Sequence, residues 1–168
     1  MLRIDVGLFN RNQLETKKYS LSAALPDLDL PGERLAFAGP VNGELQVTGS
    51  EDLLTVEGLV TGSLNLRCVR CLESFTFDFR IPFREVYTHK PTDETGEEVQ
   101  YTGDCLDLSP EILKAVILTL PMKALCREDC LGLCPTCGCN LNQTPCACTR
   151  EDLDPRFNVL QDLFKNNS

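Results

Sequence analysis

Residues 53–87 read LLTVEGLVTGSLNLRCVRCLESFTFDFRIPFREVY, and their period decides the fold class. From Phe75 the run alternates cleanly. Phe75, Phe77, Phe79, Ile81 and Phe83 fall on one face, Thr76, Asp78 and Arg80 on the other. A period of two belongs to a strand with one buried face, so the Phe stripe is core. Pro82 cannot donate to a ladder and places the end of this run at an edge or a bulge. Working outward, Arg34-LAFAG, Leu45-QVTGS and Leu53-LTVEGLVTGSLNLRC extend the β reading back to about residue 34. Gly43, Gly58 and Gly62 are expected at turns or bulges. Long amphipathic strands joined in series predict an α+β chain built on an antiparallel β-meander or a partly closed barrel, not a βαβ fold.

On either side the signals are weaker. Leu14-ETKKYSLSAAL reads either as a helix or as a strand with a loop, and Asp27-LDLPGER as a turn-rich connector. His89-KPTDETGEEVQYTGD is polar and aperiodic, so a loop is expected, with the single histidine, His89, solvated. A helix is expected at about 109–120, with Ser109 capping, Pro110 in the first turn and Glu111 facing the dipole. Ile112, Val116 and Leu120, flanked by Leu113 and Ile117, would pack it on the sheet until Pro121 ends it. A second helix is expected from Asp154-Pro155, burying Phe157, Leu160 and Phe164. The chain is thus expected to divide into a β-rich part with its packing helix, 1–121, and a cysteine-rich zinc-binding segment with the C-terminal helix, 122–168, within one structural unit.

Ten cysteines occur in 168 residues, seven of them between Cys126 and Cys148 in CREDCLGLCPTCGCNLNQTPCAC. The N-terminal residues lack the apolar core of a signal peptide, and no apolar run approaches the roughly 18 residues of a membrane span. A cytoplasmic location with reduced thiols is therefore expected, which favours metal over disulfides. Net charge is −9 with neutral cysteines. Two tetrathiolate zinc sites, each −4 + 2 = −2, would take it to about −13. Such a surface repels phosphate backbones unless basic residues cluster locally, and it suits a basic protein partner.

Tetrahedral Zn2+ takes four soft donors, and two-residue gaps let paired sulfurs converge on it. Cys134-PTCG is the strongest local signal, because Gly138 permits the turn that brings backbone N–H groups to the sulfurs. With Cys146 and Cys148 closing the loop, Cys134, Cys137, Cys146 and Cys148 form the first expected metal site. Cys126 and Cys130 remain as one pair and Cys68 and Cys71 as another. Meeting in space, they would make a second site that pins the C-terminal segment to the sheet. The competing set is Cys126, Cys130, Cys134 and Cys137, which leaves Cys68 and Cys71 free or redox active. Cys139 repeats the C-x-C spacing and can replace a neighbour as ligand. Cys105 has no partner at ligand spacing and reads, like Cys139, as a small thiol.

Catalytic readings fare worse. Cys130-x3-Cys134-x2-Cys137 matches the cluster spacing of radical S-adenosylmethionine enzymes, but those need a large barrel. An iron–sulfur cluster remains the alternative cofactor, since thiolates alone do not separate iron from zinc. Cys68 and Cys71 lack the following helix of a thioredoxin-like dithiol. No Ser–His–Asp or Cys–His set and no phosphate loop is evident, so a non-enzymatic role is expected.

Taken together, Leu66-RCVRCLESF, Ile112-LKAVILTLPMKALC, Glu128-DCLGLCPTCGCNLN, Cys146-AC and Asp154-PRFNVLQDL resemble the YceD family of large ribosomal RNA subunit accumulation proteins. The resemblance covers residues from about 40 to the C-terminus. It implies a ribosome-biogenesis role in the synthesis, processing or stability of 23S rRNA, with a 23S rRNA precursor or a large-subunit ribosomal protein as partner. Some members keep the Cys68-type pair without the C-terminal cysteines. Candidates for direct RNA contact are Arg67 and Arg70, with Arg80 and Arg84 on the following strand; ordinary strand-face charge is the plainer reading. The acidic Asp93–Glu98 stretch is a solvated loop or a hook for a basic partner. The competing functional class is a cysteine-based redox or iron–sulfur sensor.

Overall fold

In the computed structural model the described residues are 2–7, 15–30, 33–50, 53–90 and 98–148. The stretch 53–87 forms the two longest strands, β6 (Leu53–Arg67) and β7 (Ser74–Thr88). They pair antiparallel without a register break, from Leu53 opposite Thr88 to Arg67 opposite Ser74. The Phe stripe lies inward as expected, with Phe79, Ile81 and Phe83 buried and Phe75 and Phe77 half-buried.

The other edge of β6 is shared by two strands in succession. β5 (Val41–Ser50) pairs with its first half, and β4 (Glu33–Phe37) continues along it at Phe37 opposite Leu64. Between them the Ala38 N–H donates to the Ser63 carbonyl at 2.8 Å, so Gly39 and Pro40 kink a nearly continuous edge. β2 (Glu15–Ala23) pairs outside β5, and β3 (Leu28–Leu30) outside β4. The ambiguous segment after Leu14 is therefore a strand. β8 (Glu98–Gln100) runs parallel to the end of β7 over Val86–Thr88 only, leaving Pro82 on an open edge among the described residues.

Three expectations need correction. The sheet does not close into a barrel: β2 and β7–β8 remain separate edges among the described residues. Gly43, Gly58 and Gly62 are not turns or bulges; all three lie within the continuous β5–β6–β7 ladder. At Gly62 a Cβ would come within 2.6 Å of the Phe79 ring, and at Gly58 it would run into the Glu44 carbonyl of β5. Close packing, not chain reversal, requires glycine there. Finally, of the two C-terminal helices only α1 (Ser109–Thr119) lies among the described residues; the one expected from Asp154 falls outside them.

α1 begins at the expected residue by a different device. The Asp107 carboxylate accepts the Ser109 N–H at 3.0 Å, while the Ser109 hydroxyl accepts the Leu2 N–H at 2.9 Å. The serine thus ties the N-terminus to the helix rather than capping it, and the aspartate supplies the acceptor an N-terminal turn needs. Ile112 and Val116 are buried, whereas Ile117 faces outward. β1 (Arg3–Asp5) and β9 (Cys105–Asp107) form a two-stranded ribbon. Leu2, Ile4, Val6, Leu106 and Leu108 join α1 over the apolar face of the sheet in a single core. No helix among the described residues is long and apolar enough to cross a membrane.

Candidate metal centre

At the far end of the β6–β7 pair the chain turns through Cys68-Val-Arg-Cys71. After α1 it runs back past this turn, bringing Cys126 and Cys130 against it. The sulfurs of Cys68, Cys71, Cys126 and Cys130 all lie within 4.8 Å of one another. Cys68 Sγ is 3.8 Å from Cys130 Sγ, and Cys71 Sγ is 3.7 Å from Cys126 Sγ. A disulfide needs about 2.05 Å. Four thiolates placed tetrahedrally about 2.3 Å from one ion stand about 3.8 Å apart, so the spacing fits a single metal ion. Cys68, Cys71 and Cys130 are buried, with Phe75 and Leu125 packed on them.

A second group follows along the chain. Cys134, Cys137, Cys139 and Cys146 also hold all four sulfurs within 4.8 Å. Cys148, expected as the fourth ligand, is not among these four mutually close sulfurs. Cys139 takes the place within the set that spacing gave to Cys148. Both groups could hold a metal ion. Cys105 is apart from either, exposed on β9.

The two CxxC turns are built alike. The Leu72 N–H donates to the Cys68 carbonyl and the Gly138 N–H to the Cys134 carbonyl, each at 2.9 Å. The Cys68 N–H meets the Glu73 carbonyl and the Cys134 N–H the Cys139 carbonyl, each at 2.8 Å. Both turns place the residue after the second cysteine in the left-handed region, Gly138 at φ 74° and Leu72 at φ 61°. Glycine enters that region freely; leucine does so against the contact between its Cβ and carbonyl. The Gly138 signal was legible in the sequence, whereas nothing marked Leu72.

This geometry aims N–H groups at sulfur. Burial alone would raise the Cys68 thiol, yet the backbone N–H groups of Cys126, Cys71 and Arg70 pull it down to about 6. The backbone N–H groups of Cys137 and Thr136 bring Cys134 down to about 6. Burial likewise opposes ionisation of Cys130, but the Asn142 side chain and the Gly132 N–H outweigh it and lower its pKa. Other members are pushed the opposite way. Burial and then the neighbouring thiols raise Cys126 to about 12. Cys137, followed by burial, raises Cys139 to about 12. Without a cation the sulfurs of one cluster cannot all ionise, because each thiolate repels the next. A divalent cation replaces the retained protons and removes that repulsion.

A polar network that the sequence did not announce holds the first cluster from outside. Asn142 Nδ2 donates to Cys130 Sγ at 3.4 Å, while Asn142 Oδ1 accepts from Arg127 at 2.8 Å and from the Leu131 N–H at 2.9 Å. Asn140 and Gln143 donate to Glu73 at 3.1 and 2.7 Å. The turn between Cys139 and Cys146 therefore also braces the first cluster.

The arginines suggested for RNA contact separate. Arg70 Nη1 donates to the Glu128 and Cys130 carbonyls at 3.2 and 2.9 Å, clamping the two halves of the first cluster. Arg67, Arg80 and Arg84 share the exposed face of β6–β7, opposite Ser74, Thr61 and Glu57. Asp78 lies on the same face and accepts from Ser63 at 2.6 Å. His89 is half-buried rather than solvated, its ring 3.9 Å from that of Tyr101.

Comparison with known proteins places this architecture. Residues 56–164 match the family model described as large ribosomal RNA subunit accumulation protein YceD, a span running from β6 through the cysteine-rich segment. An uncharacterized protein of Mycobacterium tuberculosis is 33% identical over 126 residues, 72% of this chain and 60% of the relative. One of Mycobacterium leprae is 33% identical over 154 residues, 86% of this chain and 70% of its own. An Arabidopsis thaliana protein named large ribosomal RNA subunit accumulation protein YCED homolog 1, chloroplastic, is 26% identical over 155 residues, 74% of this chain and 48% of its own. The chain thus spans about 60% of the length of the M. tuberculosis relative. No solved structure matches. From the match over β6, β7 and both cysteine clusters, the chain belongs to the YceD family of large ribosomal RNA subunit accumulation proteins.

Proposed function

We propose that this protein is a non-catalytic ribosome-biogenesis factor that supports accumulation of 23S rRNA by binding, with two tetrathiolate zinc ions fastening its C-terminal segment to the sheet. Membership of the YceD family over residues 56–164 is the observation that carries the reading. The Arabidopsis relative is named as a large ribosomal RNA subunit accumulation protein, which supports the ribosomal part of the reading.

Charge supports a basic large-subunit ribosomal protein as the direct partner. The chain carries −9 before any thiolate is counted. Of its suggested RNA-contacting arginines, Arg70 already serves the carbonyls of Glu128 and Cys130. Arg67, Arg80 and Arg84 are interspersed with Glu57 and Asp78, not gathered into the basic stripe that phosphate binding favours. The sulfur spacing supports zinc over a polynuclear cluster. Several irons would spread their cysteines over different metal atoms, whereas here four sulfurs crowd within 4.8 Å.

Affinity capture of the tagged full-length chain from cells, with and without ribonuclease, tests the function. Retention of a basic large-subunit protein after ribonuclease supports the protein partner. Loss of all large-subunit components after ribonuclease points to rRNA, and recovery of neither overturns the biogenesis role. Elemental analysis should find two zinc ions per chain, and iron absorption bands would instead support the sensor reading.

A further inference from the structure

One long strand is left half-paired. β6 covers one side of β7 throughout, whereas β8 covers the other side at Val86–Thr88 alone. From Ser74 to Glu85 that outer side carries no strand among the described residues. The Tyr101 N–H donates to the Thr88 carbonyl at 3.0 Å, so Thr88 directs its backbone groups to the outer side. The ladder has no register break, and alternation carries this direction back to Arg84, Pro82, Arg80, Asp78 and Thr76. Pro82 fits there, because its missing N–H costs the β6 ladder nothing.

A free row of backbone donors and acceptors is a template for another strand, and the side chains beside it decide which. Thr76, Asp78, Arg80 and Arg84 are exposed on the solvent face. Asp78 and Arg80 stand opposite Ser63 and Thr61 of β6, so neither meets a countercharge across that pair. On the core face Phe79, Ile81 and Phe83 are buried, but Phe75 and Phe77 are half-buried.

We propose that the open edge of β7 is a dimer interface, pairing antiparallel with β7 of a second copy about a two-fold axis at Phe79. The positions that present backbone groups must face one another, which leaves few possible centres. A centre at Asp78 or Arg80 sets like charge against like, which is destabilising. A centre at Phe77 puts Asp78 opposite Thr76, without its countercharge. A centre at Ile81 places Pro82 opposite Arg80, where the missing N–H interrupts the middle of the ladder. At Phe79, Asp78 lies opposite the second copy's Arg80, and Arg80 opposite its Asp78. Pro82 then falls toward the end, opposite Thr76. On the core face Phe77 meets Ile81 and Phe75 meets Phe83, which gives the two half-buried rings further cover. The axis is perpendicular to the sheet, so the apolar faces of both copies lie on one side.

Sedimentation of the full-length chain over a concentration series tests this pairing. The parent should reach the dimer mass at high concentration and dissociate on dilution. Asp78→Arg sets arginine against arginine and Arg80→Asp sets aspartate against aspartate, so each alone should stay monomeric. Both positions are exposed, and circular dichroism of each variant should match the parent. Mixed in equal amounts, the two variants should form a dimer, because every charge then meets its opposite. A parent that remains monomeric overturns the interface. A dimer retained by Arg80→Asp overturns the register, and monomeric variants that stay apart when mixed overturn the charge pairing.

Discussion

Removing the ion from the first cluster should cost the fold heavily, and the structure sets the size. The cluster joins Cys68 to Cys130 across 62 positions and Cys71 to Cys126 across 55. By the chain-entropy relation for cross-links, closing a loop of that length removes about 4 kcal/mol of freedom from the unfolded chain. In a chain of this size 1 kcal/mol moves the melting temperature by about 2–4 °C, so loss of this cross-link should lower it by about 8–16 °C. Cys68→Ser removes a buried ligand from this cluster alone, because the second set of sulfurs draws on other residues. Thermal unfolding followed by circular dichroism under reducing conditions measures the shift. Cys105→Ser, exposed on β9, serves as the control and should melt like the parent. Suppose zinc analysis shows the first site empty in Cys68→Ser, yet the melting temperature falls by less than about 4 °C. Then packing and the Arg70 clamp hold the segment without the ion, and the cross-link argument fails.

Leu72→Gly relieves a left-handed leucine whose side chain is 56% exposed, and denaturant unfolding should show a gain of about 0.5–1 kcal/mol after glycine's own entropic cost; a loss means that the leucine packs productively. Tyr87→Phe removes a buried hydroxyl without a hydrogen-bond partner among the described residues, so stability should rise by about 1 kcal/mol; a fall of that size points to a partner for the hydroxyl. Asn142→Ala removes the donor to Cys130 Sγ and should weaken zinc retention at the first cluster by about 10–100-fold in chelator competition, with unchanged affinity counting against a supporting role.

The β core was written in local pattern. The alternation from Phe75 to Phe83 matches the buried face of β7, because side chains on a strand must point alternately to its two sides. The spacing of Ile112 and Val116 likewise marked the buried stripe of α1. The glycines misled for the same local reason. Pattern alone cannot distinguish a glycine that turns the chain from one, such as Gly62, that makes room for the ring of a residue seventeen positions later.

By itself the sequence determined which residues alternate and which cysteines are spaced to turn toward one ion, since both are properties of a few consecutive residues. Tertiary structure alone decided that Cys68 and Cys71 meet Cys126 and Cys130, that Arg70 clamps the carbonyls of Glu128 and Cys130, and that Cys139 rather than Cys148 stands inside the second set. Those relations join positions up to 62 residues apart, and they are fixed by how the β6–β7 pair and the chain after α1 fold onto each other.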